Sequence, residues 1–139
     1  MTVAVVLTGR HRPHQVLFLV FSVLAGAAFF AGARPPSSLE QLVPAWVLWT
    51  WYALLLTSGV VGLAALIPAD AYRALVMERA AMVGQTVAPA LYTVALASTG
   101  QPAAFFAATS VLAWGAASAW RGWQVNRGIR ALRQVGERR

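Results

Sequence analysis

Cysteine and lysine are both absent from the 139 residues, and only four side chains are acidic. Without cysteine there is neither a disulfide scaffold nor a thiolate metal site. Without lysine, all 11 basic residues are arginine, which beside so much alanine, valine and glycine reads first as the codon bias of a GC-rich genome. Charged residues make up 11% of the chain, where soluble domains carry ~25%. Catalytic groups are missing as well. No Ser, His and Asp set, no paired carboxylates within an apolar run and no phosphate-cradling glycine loop can be assembled, so no enzyme and no cofactor is expected. His11 and His14 stand three apart, but Pro13 lies between them and no carboxylate completes a metal shell, so they read as a polar flank.

What is present is hydrophobic surface. The hydrophobic share is 59%, and a chain this short has too little interior to hide it from water, so much of it should face lipid. Uncharged runs lie at 13–33, 41–69 and 80–120, and a spanning helix needs ~20 residues. The third run is long enough for two spans and breaks at Ser98, Thr99, Gly100, Gln101 and Pro102, where Gly ends one helix and Pro opens the next. The expected fold is all-α: an integral membrane bundle of four transmembrane helices over 1–123, with spans near 15–33, 43–67, 77–98 and 102–122. A basic amphipathic tail helix is expected over 124–139.

Arginine placement sets the orientation. Arg10 and Arg12 precede the first span, Arg73 and Arg79 lie in the second connection, and Arg121, Arg127, Arg130, Arg133, Arg138 and Arg139 follow the last. Arg34 alone falls on the other side, so the chain is expected in the cytoplasmic (inner) membrane with both termini cytoplasmic. The N-terminal run with Ala31, Gly32 and Ala33 also fits a cleavable signal peptide. The bulky Phe29 and Phe30 near that triplet favour a retained helix.

Several residues have expected roles as membrane-interface anchors. Trp46, Trp49, Trp51 and Tyr52 crowd the outer end of the second span, and Trp120 and Trp123 close the fourth on the inside, where amphipathic rings settle at headgroup level. Ser37 and Glu40 form a capping-box pattern from which the second helix is expected to start, with Pro44 in its first two turns. The small-residue pairs Ala28 and Gly32, Ser58 and Gly62, Ala80 and Gly84, and Gly115 and Ala119 allow close helix approach. Gln85, Thr86, Tyr92 and Thr93 surround Pro89 in the third span. Interhelical hydrogen bonding is the expected role of Gln85, because no ionisable group lies deep in any span to mark an ion pathway.

In the tail, Val125, Ile129 and Leu132 share one helical face while Arg127, Arg130 and Arg133 point away. The expected partner is anionic lipid, with the stripe inserted at the interface; nucleic acid is disfavoured for want of a stacking platform, and no small-molecule substrate is indicated. Counting along a hairpin about Gly100 puts Glu78 level with Gly122 and beside Arg121, so an ion pair between Glu78 and Arg121 is expected at the inner interface.

The Trp-rich start of the second span, Gly59 and Gly62 within it, Glu78 opening the third, Tyr92, and the closing Trp120, Arg121, Gly122, Trp123, Gln124 and Val125 give a pattern over about 40–130. It resembles small four-helix membrane proteins of actinobacteria and especially of their bacteriophages. The resemblance implies a phage or phage-derived inner-membrane protein of holin-like character. One function class left open is a holin-like host-lysis protein that assembles as a homo-oligomer in the cytoplasmic membrane and opens it. The other class left open is a non-lytic accessory or scaffold protein that holds a partner protein through its helices or basic tail.

Overall fold

The computed structural model describes residues 13–35, 37, 40, 43–67 and 70–136, apart from the side chains of residues 13, 103, 132, 133, 135 and 136. Arg10, His11, Arg12, Arg138 and Arg139 lie outside the described residues. Within them the protein is all-α: α1 (Pro13–Phe30), α2 (Ala45–Ala64), α3 (Ala71–Ser98) and α4 (Pro102–Gly136). Two of these, α2 and α3, are long and apolar enough to cross a membrane; the apolar stretch of α1, His14–Phe30, is shorter.

Local chemistry accounts for the helix ends. α1 stops in a Schellman motif: Gly32 takes φ +96°, its N–H bonds to Phe29 O at 3.1 Å, and the Ala33 N–H returns to Ala28 O at 2.9 Å. Ser37 and Glu40 are themselves helical, but α2 starts only at Ala45, because Pro44 stands at the N-cap in an extended conformation (ψ 151°) and its ring disfavours helical backbone in the residue before it. α3 starts about two turns before the expected residue 77, since the Asp70 side chain caps it by accepting from the Tyr72 N–H at 3.0 Å. Gly100, at φ +66°, turns the chain into α4, with Pro102 as its first residue.

The expected break between a fourth span and a separate tail helix is missing. α4 runs unbroken for 35 residues, about 50 Å at ~1.5 Å per residue. Its far end packs on the first turns of α3, where Leu75, Val125 and Ile129 form a small buried cluster. The stripe expected to insert into lipid is therefore covered by protein at Val125 and Ile129, which favours the early start of α3 and the late end of α4 together.

α1 packs on α2, α2 on α3 and α3 on α4. Glycine makes the first two crossings possible. A Cβ at Gly59 would stand 2.8 Å from Leu19 O and 2.9 Å from Val23 N, and one at Gly26 would stand 2.8 Å from Leu56 N, so α1 and α2 touch backbone to backbone. At Gly84 an added Cβ would stand 2.6 Å from the Ser58 Cβ, so here α3 lies against a side chain of α2. At Gly115, by contrast, an added Cβ would lie 3.4 Å from Pro89 Cβ, an ordinary contact.

Gly59→Leu is expected to force α1 off α2 and to destabilise the bundle by about 3 kcal/mol or more, the upper range for overpacking. Gly115→Ala should leave stability within ~0.5 kcal/mol. Unfolding midpoints of both variants in mild detergent, titrated with dodecyl sulfate, check the contrast.

Candidate functional site

The side chains that could carry chemistry lie inside the bundle and come from all four helices. Gln85, only 1% exposed, is at the centre. Its Nε2 donates to Ser22 Oγ on α1 at 2.9 Å and to Ser58 Oγ on α2 at 2.8 Å. The Ser22 hydroxyl lies within donating distance of both Phe18 O, at 2.8 Å, and Gln85 Oε1, at 3.2 Å, and the Ser58 hydroxyl reaches Leu55 O at 3.3 Å. One amide thus ties three helices together, and each serine is satisfied within its own helix.

Two turns along α3 is the second set. The Arg121 Nε of α4 donates to Glu78 Oε1 at 2.7 Å, and the Gln15 Nε2 of α1 donates to the same oxygen at 3.0 Å. The side chains of Glu78 and Arg121 are 8% and 17% exposed, so the charges attract across a medium poor in water. The hairpin count had put these two residues at one depth, and here they meet.

Gln15 to Glu78 and Ser22 to Gln85 are both separated by 63 positions, so α1 and α3 run parallel and in register. Sequence reasoning singled out Gln85 and Glu78 but missed Gln15, Ser22 and Ser58 as their partners. A signal was available: Gln15 and Ser22 stand seven apart, as do Glu78 and Gln85, a two-turn repeat of polar groups on one face of each helix.

The aromatic residues divide. Trp46, 71% exposed, and Trp49 point outward, as do Trp120 and Trp123, whose rings lie 4.9 Å apart. Trp51 and Tyr52 do not. Trp51 is 7% exposed, and its indole Nε1 donates to Ala88 O at 3.0 Å, one residue before Pro89. Tyr52 is buried beneath Phe29, with ring centres 4.8 Å apart. These two rings are core residues because the helix turn that sends Trp49 outward sends 51 and 52 inward. They join Leu55, Ala88 and Ala95 in one cluster, and Tyr92 stacks on Trp51.

Near the basic end, the Arg127 guanidinium lies 4.8 Å over the Trp123 ring, and Arg130 is exposed. Arg133 is on α4, with its side chain among those not described. Asp70 and Arg73 approach at 3.7 Å in an exposed pair. Around Pro89, Thr86 satisfies itself on Met82 O at 2.7 Å, while Thr93 Oγ1 is buried without a hydrogen-bond partner. Among the described residues no three His, Asp or Glu side chains gather as a metal site. No family model, no curated protein and no solved structure matches this chain.

Removing one member of the ion pair should cost more than removing both. Glu78→Ala strands the Arg121 charge and is expected to destabilise by about 3–5 kcal/mol, whereas Glu78→Leu with Arg121→Met should stay within ~1 kcal/mol of the parent. Gln85→Leu, which leaves both serines bonded to their own helices, should cost about 1–2 kcal/mol. Dodecyl sulfate unfolding of the four proteins compares them directly.

Proposed function

We propose that the chain is a small integral protein of the cytoplasmic membrane in which all four helices cross or enter the bilayer, with both ends on the cytoplasmic side. It acts there in the manner of a holin, by lateral assembly of copies that permeabilise the membrane. The observation that carries the membrane part is the apolar outer surface of the bundle, around an interior that holds a few hydrogen-bonded polar groups among apolar ones. Large apolar side chains point outward on every helix, among them Phe21, Val60, Val83, Val94 and Phe106, the last 75% exposed. The buried set, meanwhile, includes Ser22, Ser58, Glu78, Gln85 and Ser118. In water that arrangement leaves a large apolar surface exposed; in lipid it satisfies both the outward hydrocarbon and the inward hydrogen bonds.

Length supports it. α3 and α4 exceed the ~20 residues that cross ~30 Å of hydrocarbon, so their paired ends around Leu75, Val125 and Ile129 stand clear of the core of the bilayer. The arginines Arg73, Arg79, Arg127 and Arg130 gather at that end, the side expected to be cytoplasmic. The interior of one copy is occupied by the Gln85 network, the ion pair and the Trp51 cluster, so a water-filled passage would have to form between copies. A pore of that kind appears only above a threshold density, which suits an abrupt, timed opening.

The second reading, a non-lytic accessory or scaffold protein, draws on the same basic end: the projecting α3 and α4 turns offer a rigid, positively charged surface for a partner.

The chain is expected to stay with membranes through alkaline washing, and a reporter fused after Arg139 should be active only in its cytoplasmic form; a periplasmic signal would overturn the orientation. In a bacterial host, timed expression should collapse the membrane potential suddenly after a lag. A slow decline in growth with the potential intact would favour the accessory role.

A further inference from the structure

An open groove of about 320 Å³ runs between α3 and α4 on the outside of the bundle, at its basic end. Arg79 of α3 and Trp123 and Asn126 of α4 stand at the charged end of this groove, and Val87, Ala119 and Gly122 wall it farther in. Thr86, which also borders it, turns its hydroxyl to Met82 O, so the inner wall stays apolar. The groove between α2 and α3 is larger, about 410 Å³, but no charged side chain lines it. Charge therefore sets the α3–α4 groove apart.

The arginines at its mouth have no carboxylate to meet. Arg79 is exposed, while the carboxylate of the adjacent Glu78 turns into the bundle, where Arg121 and Gln15 donate to it. Asp70 stands with Arg73. Among the described residues, neither acid at this end is left for Arg79 or for Arg127, whose guanidinium lies 4.8 Å over the Trp123 ring. Guanidinium, indole N–H and the asparagine amide all supply hydrogen-bond donors, which is what an acceptor-only phosphodiester takes. A zwitterionic head would bring a second cation toward two arginines; a head of net negative charge does not.

Depth and length agree with a lipid. Trp120 and Trp123 are both exposed, and paired indoles of this kind settle at headgroup level, which puts the mouth of the groove at the depth of lipid phosphate. Arg79 and Val87 are about 12 Å apart along α3 at ~1.5 Å per residue, within the ~15 Å that is half of a hydrocarbon core. A groove one leaflet deep suits an acyl chain and is too short to seat a spanning helix. From this geometry we infer that the groove between α3 and α4 binds one anionic phospholipid, with its phosphate at Arg79, Asn126 and Trp123 and an acyl chain lying past Ala119 and Gly122 toward Val87. The inference rests on the membrane reading above, and it adds a defined site between two helices to the diffuse attraction of a basic surface for anionic lipid.

The test measures lipid kept by the full-length protein through extraction into mild detergent from membranes that hold phosphatidylglycerol and phosphatidylcholine in equal amounts. About one phosphatidylglycerol per chain is expected, with little phosphatidylcholine. Arg79→Gln, at an exposed side chain, should lower the retained phosphatidylglycerol about tenfold, the effect of one charge-assisted hydrogen bond. Ala119→Trp, also at an exposed position, fills the groove and should abolish retention with helix content unchanged. Arg130→Gln removes the same charge from outside the lining and should keep most of the lipid. Equal retention of phosphatidylcholine, or undiminished retention by Arg79→Gln or Ala119→Trp, would overturn the site while leaving membrane insertion intact. Release of the wild-type chain by alkaline washing would instead overturn the membrane reading itself.

Discussion

α3 sends two strongly polar side chains, Glu78 and Gln85, into an interior built otherwise of small and apolar residues, and each has to find its partners on other helices. A buried amide or carboxylate left unpaired would cost several kcal/mol. That demand organises the bundle: Gln85 draws Ser22 and Ser58 to it, and Glu78 draws Gln15 and Arg121. Through these contacts α3 touches all three of the other helices, and α1, which runs parallel to α3 after two reversals of the chain, is held to it in a defined register.

The glycines make the same point from the side of packing. Hydrogen bonds of 2.8–2.9 Å from Gln85 to two serines on different helices need backbones that approach closely. Gly26 and Gly59 provide that approach between α1 and α2, and Gly84 provides it between α2 and α3. Shape and polarity are therefore coupled: a bulky residue at a crossing would both overpack the helices and pull the serines out of reach of the amide. α4 packs extensively along α3 without such close glycine crossings, with the Glu78–Arg121 pair in its middle and the Leu75, Val125 and Ile129 cluster at its end.

Much of the architecture was legible from local signals. Charge-free runs and the Gly and Pro punctuation at 100 and 102 marked the helices, and hairpin counting brought Glu78 to Arg121. These features depend on neighbours along the chain or on a single turn, and periodicity reads them well. The start of α2 was misplaced because the capping pattern at Ser37 and Glu40 was weighed above Pro44, whose ring acts on the residue before it. α3 begins earlier than its expected start because Arg73 was assigned to the connection, whereas the Asp70 cap starts the helix ahead of it.

Which side of each helix faces inward was decided only in the tertiary structure. In helices apolar around most of their circumference, hydrophobic pattern does not distinguish a ring that faces the core from one that faces outward. Trp49 and Trp51 look alike along the chain, yet one is exposed and the other bonds a buried carbonyl. The same holds for Val125 and Ile129, whose stripe predicts an apolar contact but not its partner. Composition and spacing settle how many helices form and roughly where they end, because those choices are made by backbone and cap chemistry within a few residues. Orientation and partnership depend on where distant polar groups can satisfy one another, and that is a property of the assembled bundle.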